Sequence, residues 1–368
     1  MNVAGIYIDS LFIHSIWGVA GENPIGSSHE NFKSRDMILS LDDTVSPLQG
    51  HSFSRQGSHK VCSNFLPWIC SNKTWGLGKS ETTADQALEF YLVELFAQMP
   101  QETKFETKCA FSLPLYLAPK QIRRIEQIAS KIGVQVQGSL TSATALALGA
   151  TRKSQTSSNC LVVEMDGFGL SLSHVQIADG VPHLLTGKVF PEFSLHLWVL
   201  KLTDFIAEKA ILHCRKDPRV KPATDQALFL QAQKLLSSIG TRPSFKVVLE
   251  EEFWNQEFVI TQADLKRCFF EMFASLKVHI NDFIRHKISA TDDIHLALAH
   301  NLGGVPGLAS LLVQATSGAS YHTHSPEDLF HQSFICSNAM MMAGQGCMDS
   351  GGVSSVVQYR NSIGASKV

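Results

Sequence analysis

Charge is scarce in this chain and neither sign dominates: 31 Lys and Arg stand against 33 Asp and Glu in 368 residues, a net charge of −2. That balance supplies no whole-chain basic field, so neither nucleic acid nor an anionic membrane surface is an expected partner. No run of eighteen uncharged apolar residues occurs, which removes a membrane-spanning helix from the expectations. The eight cysteines, at 62, 70, 109, 160, 214, 268, 336 and 347, include no C-x-x-C pair and no zinc spacing. They fit a reduced, cytoplasmic setting with no bound metal. The apolar start MNVAGIYIDSLFIHSIWGVAG lacks a basic leader and carries Asp9 and His14, so it reads as strands and not as a signal peptide. No repeat of solenoid length is present. What the chain has in quantity is apolar mass: 44% of its residues are hydrophobic, enough for a large core divided between two lobes.

Local patterns order that mass. Val3–Ile8 is a β-branched run that Phe12–Val19 can pair with as a hairpin. Residues 21–80, rich in Ser, Gly, Asn and Pro, read as loop-heavy. Thr83 is placed to cap a helix over 84–98, where Leu88, Tyr91, Leu92, Leu95 and Phe96 recur at helical spacing. A strand at Lys108–Leu113 precedes a helix that opens at Pro119 and stops at Gly133, with Ile122, Ile125, Ile128 and Ile132 on one face. Val134–Val136 reads as a short parallel strand and Thr141–Gly149 as a buried helix. The polar link Thr151–Ser158 is the expected lobe boundary.

Beyond it, strands are expected at Cys160–Met165 and Leu170–Ile177, and helices at Leu195–His213 and Thr224–Ser238. Strands at Phe245–Leu249 and Phe258–Ile260 come before Thr261 and Asp264, whose spacing is that of a capping box for a helix reaching Ile288. Ile294–Ala299 reads as a buried strand, Gly303-Gly304 as a turn, and Pro306 as the first residue of another helix.

Four segments, in order, resemble the nucleotide-binding domain of seventy-kilodalton heat-shock (DnaK-type) chaperones, in the superfamily of actin and the sugar kinases. KCAFSLPLYLAPKQIRRIEQIASKIGVQVQGSLTSATALALGA, from Lys108, resembles the family's strand, V-P-x-x-F, helix, A-G-L-x-V and N-E-P-T-A-A-A series. LVVEMDGFGLSLSHVQIADG, from Leu161, stands where the family has D-L-G-G-G-T-x-D-x-S. IHLALAHNLGGVPGLASLLV, from Ile294, and SPEDLFHQSFICSNA, from Ser325, resemble V-x-L-V-G-G-S-T-R-I-P and N-P-D-E-A-V-A-x-G-A-A. The resemblance implies an α/β, two-lobed actin-like ATPase fold of duplicated ribonuclease-H-like βββαβαβα units, with lobes over residues 1–152 and 153–368.

Phosphate transfer in that superfamily needs glycines that let backbone N–H groups reach phosphate, and carboxylates that orient magnesium and water. The family's first loop, G-I-D-L-G-T-T, is matched by Gly5-Ile6-Tyr7-Ile8-Asp9-Ser10-Leu11. Tyr7 replaces an acid, and Asp9 puts a carboxylate where a glycine would approach phosphate. The second loop, Glu164-Met165-Asp166-Gly167-Phe168-Gly169, keeps an acid but adds Asp166 and a bulky Phe168. Ser171 replaces a downstream aspartate. The catalytic glutamate of N-E-P-T falls on Leu140 and its proline on Thr141. The residues that frame adenine fall on Leu230, Gln233 and Lys234, with Ser237 kept, and G-G-S-T-R becomes His300-Asn301-Leu302-Gly303-Gly304. The chaperones' interlobe linker, β-sandwich and lid have no counterpart up to Val368, so no peptide-refolding cycle is expected from this sequence alone.

The resemblance brings Asp9, Glu164, Asp166 and His300 toward one interlobe cleft as candidate catalytic groups. It lines that cleft with Tyr7, Ser10, Leu11, Gly167, Phe168, Gly169, Lys234, Ser237, Asn301, Leu302 and Gly303. A desolvated Glu164 or Asp166 would have a raised pKa and serve as a general acid beside His300. The blander reading makes Asp9 and Asp166 turn caps and Glu164 a strand end. Other motifs carry less. GLGKS at Gly76–Ser80 lacks the glycine that a phosphate loop needs, with Lys73 in its place. His322, His324 and His331 near Glu327 read as solvated loop residues, and Met340-Met341-Met342 as core.

Two functions are therefore expected in competition, with residual nucleotide binding without hydrolysis as a third possibility. One is a pseudo-ATPase, without cofactor, that binds a small molecule or a protein partner as a scaffold. The other is a cleft turned to an apolar metabolite and a cofactor-free cyclisation, cycloaddition or isomerisation.

Overall fold

The β-branched and alternating segments at the start of each half of the chain become strands, and the apolar stripes at helical spacing become the helices that cover them. The computed structural model describes residues 2–19, 32–41, 46–47, 61–76, 81–98, 107–150, 158–238, 244–251, 254–288, 294–299, 302, 305, 307–316 and 321–323.

In the N-terminal half, β1 (Asn2–Ile8) and β2 (Phe12–Val19) form the expected antiparallel hairpin, extended by β3 (Phe32–Asp36). Residues 21–80, read as loop-heavy, contribute more than loops. Besides β3 they hold a small sheet of β4 (Ile38–Ser40), β5 (Ser46–Pro47) and β6 (Val61–Ser63), and a 3-10 turn at Leu66–Trp68. Strand β7 (Thr74–Trp75) pairs with β8 (Thr82–Thr83). These strands are two to five residues long, too short for a period-2 pattern to register. Helix α1 (Ala84–Ala97) starts at Thr83, whose side chain accepts from the Gln86 N–H while Gln86 returns the bond, a full capping box.

Strand β9 (Lys108–Leu113) and β10 (Gln135–Thr141) run parallel to β1, with α2 (Pro119–Lys131) between them. Strand β10 is longer than the expected Val134–Val136, because a bulge between Val136 and Gly138 lets pairing continue to Thr141. Helix α3 (Ser142–Ala150) follows directly.

The C-terminal half opens with β11 (Ser158–Met165), β12 (Leu170–Ala178) and β13 (Val181–Phe190), all antiparallel. Strand β13 was not expected. It is an edge strand whose residues alternate between exposed and half-buried, and Pro182 and Gly187 mask its pattern. Helices α4 (Leu195–Cys214) and α5 (Pro222–Ser238) lead to the hairpin β14 (Ser244–Glu251) and β15 (Trp254–Thr261). The Thr261–Asp264 capping box then opens α6 (Gln262–Lys287). Strand β16 (Ile294–Leu298) is parallel to β11. Helix α7 (Leu308–Ala315) begins after Gly307, two residues later than expected, and β17 (Tyr321–Thr323) closes the sheet. Pro306 and the Gly303-Gly304 turn lie outside the described residues.

The result is a mixed α/β molecule with two five-stranded sheets of the same design. Their orders are β3-β2-β1-β9-β10 and β13-β12-β11-β16-β17. In each, three antiparallel strands are followed by two parallel ones. Strand β1 is the wall between two apolar cores: Ala4, Ile6 and Ile8 face one, and Val3 and Tyr7 the other. That second core also takes in α3 and most of the C-terminal half, including the fully buried Trp198, which packs edge-on against Phe269. Among the described residues no helix is long and apolar enough to cross a membrane.

Candidate functional site

The turns between β1 and β2 and between β11 and β12 are built alike. In the first, the Asp9 N–H donates to the Phe12 carbonyl at 3.0 Å, and Asp9 Oδ1 accepts from the N–H groups of Leu11 and Phe12, both at 2.7 Å. In the second, the Asp166 N–H donates to the Gly169 carbonyl at 3.0 Å, and Asp166 Oδ1 accepts from Phe168 at 2.8 Å and Gly169 at 3.1 Å. An aspartate at the head of a tight turn can close it in this way because its short carboxylate reaches the amides two and three residues on. Gly169 is required by a close approach. A Cβ there would lie 3.1 Å from the Phe190 carbonyl oxygen and 3.2 Å from the Pro191 Cα, both backbone atoms.

The second oxygen of each carboxylate is also engaged. Asp9 Oδ2 accepts the Tyr7 hydroxyl at 2.8 Å. Asp166 Oδ2 accepts the Tyr116 hydroxyl at 2.8 Å and the Ser10 N–H at 3.0 Å, so it spans from the second turn to the first. The Tyr116 ring lies 4.5 Å from that of Phe168, and Asn64 Nδ2 donates to the Gly167 carbonyl at 3.1 Å. Five loop N–H groups, those of Ser10, Leu11, Phe12, Phe168 and Gly169, thus end on two carboxylates of the chain itself.

Glu164, the last residue but one of β11, completes a buried acid cluster; it is 8% exposed, Asp9 3% and Asp166 5%. Ser142 hydrogen-bonds its carboxylate, while Oε2 has no partner. Burial, reinforced by Asp166 and opposed by the Leu11 and Phe12 amides, pushes Asp9 up to about 7. Burial pushes Glu164 up to about 8, with Ser142 opposing and the two aspartates adding to the rise. The Tyr7 and Tyr116 hydroxyls are driven well above their ordinary range by burial and by the neighbouring acids, so both stay protonated donors. Between the three acids, Tyr7, Tyr116 and Ser171 lies a cavity of about 20 Å³. That volume holds one water molecule.

The structure therefore brings together Tyr7, Asp9, Ser10, Glu164, Asp166, Gly167, Phe168 and Gly169. Leu11 joins them through its backbone only, since its side chain is fully buried in the core. Leu302 is likewise a core residue, its N–H bonded to the Ala299 carbonyl. Lys234 is on α5 and lines a separate, open cavity with Gln231 and Phe245; Ser237 is on the same helix. His300, Asn301 and Gly303 lie outside the described residues. So do His324, His331, Glu327 and the methionine run. Among the described residues no group of His, Cys, Asp and Glu has the arrangement of a metal site.

Three members of the site were not foreseen. Tyr116 lies inside the best-matched segment, but no spacing links it to a partner 50 positions away. Asn64 and Ser142 have no motif at all. No protein-family model and no curated protein matches this sequence.

Proposed function

We propose that this chain is a heat-shock-chaperone-like pseudo-ATPase: an actin-like, two-lobed domain, with lobes over 1–152 and 153–368, that acts as a binding or scaffold protein and does not turn over ATP efficiently. The observation that carries the reading is the pair of self-satisfied turns. In a nucleotide-binding protein of this superfamily the amides of these two loops are the phosphate's donors. Here five such amides already bond to Asp9 and Asp166, and the same carboxylates would repel a polyphosphate. The duplicated strand order of the two sheets supports the fold side of the proposal.

The partner in this reading is a protein or a small molecule met in the reduced cytoplasm, where six described cysteines are free. The competing reading, a cofactor-free cyclase or isomerase, has one feature in its favour, an acid held near neutrality in Glu164. It also requires a substrate-sized chamber beside that acid, and the space there takes one water. Scaffold binding is therefore preferred. Titration calorimetry of the full chain with Mg-ATP, joined to a phosphate-release assay, is expected to give neither binding heat nor turnover. Micromolar binding with turnover would overturn the proposal.

A further inference from the structure

Asp166 does more than close its own turn. Every contact made by its Oδ2, and several around it, crosses between the N-terminal and C-terminal halves of the chain: the Ser10 amide, the Tyr116 hydroxyl, the Tyr116 ring on Phe168, and Asn64 on Gly167. Close packing accompanies them. A Cβ on Gly187 of β13 would stand 2.5 Å from Leu115 Cδ2, so the Leu115 side chain packs directly over that glycine and would have to shift for any larger residue.

The charges at this junction are all of one sign. Strand β1 contributes Tyr7, the first turn Asp9, the segment after β9 Tyr116, β11 Glu164, and the second turn Asp166. Helix α3 and β12 add only the hydroxyls of Ser142 and Ser171, and β2 adds His14, stacked on Tyr7 at 5.8 Å. No lysine or arginine lines the cavity among the described residues, and Glu164, which does line it, has its Oε2 buried without a hydrogen-bond partner. Asp9 and Glu164 would each have to release a proton into a space the size of one water to become charged there. Three carboxylates without a counter-ion do not stay in such a space, because the repulsion is large at low dielectric and solvent is the only relief.

We propose that this cluster is a latch: Asp166, reaching the Ser10 amide and the Tyr116 hydroxyl, holds the two halves of the chain closed, and complete ionisation of the acids around it opens them. The latch rests on contacts between the halves and not on the ATPase resemblance. The values of about 7 for Asp9 and about 8 for Glu164 agree with release near and above neutral pH.

Small-angle X-ray scattering of the full chain tests it, with far-UV circular dichroism as the check on folding. Between about pH 6 and about pH 9 the radius of gyration should rise with the dichroism unchanged, and exchange of the Ser10 amide, corrected for its intrinsic rate, should quicken about tenfold. Glu164→Gln, which cannot ionise, should stay closed at the higher pH. Tyr116→Phe, which removes one latch bond, should open at a lower pH than the wild type. Identical scattering at both pH values, opening of Glu164→Gln alongside the wild type, or loss of dichroism in step with expansion would each overturn the proposal. Nucleotide takes no part in this readout, so a failed latch and a failed pseudo-ATPase reading are told apart.

Discussion

Glu164 shows at the scale of one residue what burying an acid does. Its folded pKa of about 8 lies above the ordinary glutamate value of about 4.3, so the folded protein holds a proton that the unfolded chain releases. The stability tied to that proton is fully present below the unfolded value and is lost as pH rises through the folded one. Glu164→Gln has no proton to lose. Its melting temperature should match the wild type near pH 4 and exceed it by several degrees near pH 9, as thermal melts at the two pH values will report; a gap independent of pH would contradict the assignment. The acids of the site entered the sequence reading through the resemblance, with turn caps and a strand end as the blander alternative, and Asp9 and Asp166 do close their turns. Their partners were not legible. A tyrosine after a proline in a strand-to-helix connection has no pattern that announces a bond to position 166, and that bond exists only once two sheets meet.

At the scale of elements, the parts read correctly are those with local chemistry at their ends. Thr83 with Gln86 and Thr261 with Asp264 start helices by satisfying first-turn amides within four residues, which makes them visible without tertiary information. Asp264 is pushed up by partial burial, but bonds from Lys209 and from Thr261 outweigh this and hold it at about 2. Thr261→Ala removes the hydroxyl that accepts the Asp264 N–H at 3.2 Å and donates to its carboxylate at 2.9 Å. It should cost about 1 kcal/mol, measured by urea unfolding, with the slope of the transition unchanged. No loss of stability would mean that α6 is held by packing alone. Strand β13 escaped the same reading because an edge strand with Pro182 near its start is stabilised by a neighbour, β12, and not by its own alternation. The late start of α7 has a similar origin, since the helix begins after Gly307 at a positive φ of 81°.

For the whole molecule, the feature that matters is that one design is used twice and joined at its two equivalent turns. Strand β1 is buried on both faces, so opening of the two halves exposes Val3, Tyr7 and Leu11, a cost that the repulsion among the ionised acids has to exceed. The resemblance implied the duplication, and the local patterns supplied a hairpin, helix, strand and helix in each half without the third strands β3 and β13. The joining was not legible, because it depends on Asp166 satisfying an amide 156 positions away. The loop amides are satisfied by the chain itself, and amide hydrogen exchange at Ser10–Phe12 and Phe168–Gly169 tests this directly. Without ligand near pH 6 these amides should be protected, and millimolar Mg-ATP should leave their rates unchanged. Fast exchange that slows when Mg-ATP is added would show donors waiting for phosphate, and would contradict the account.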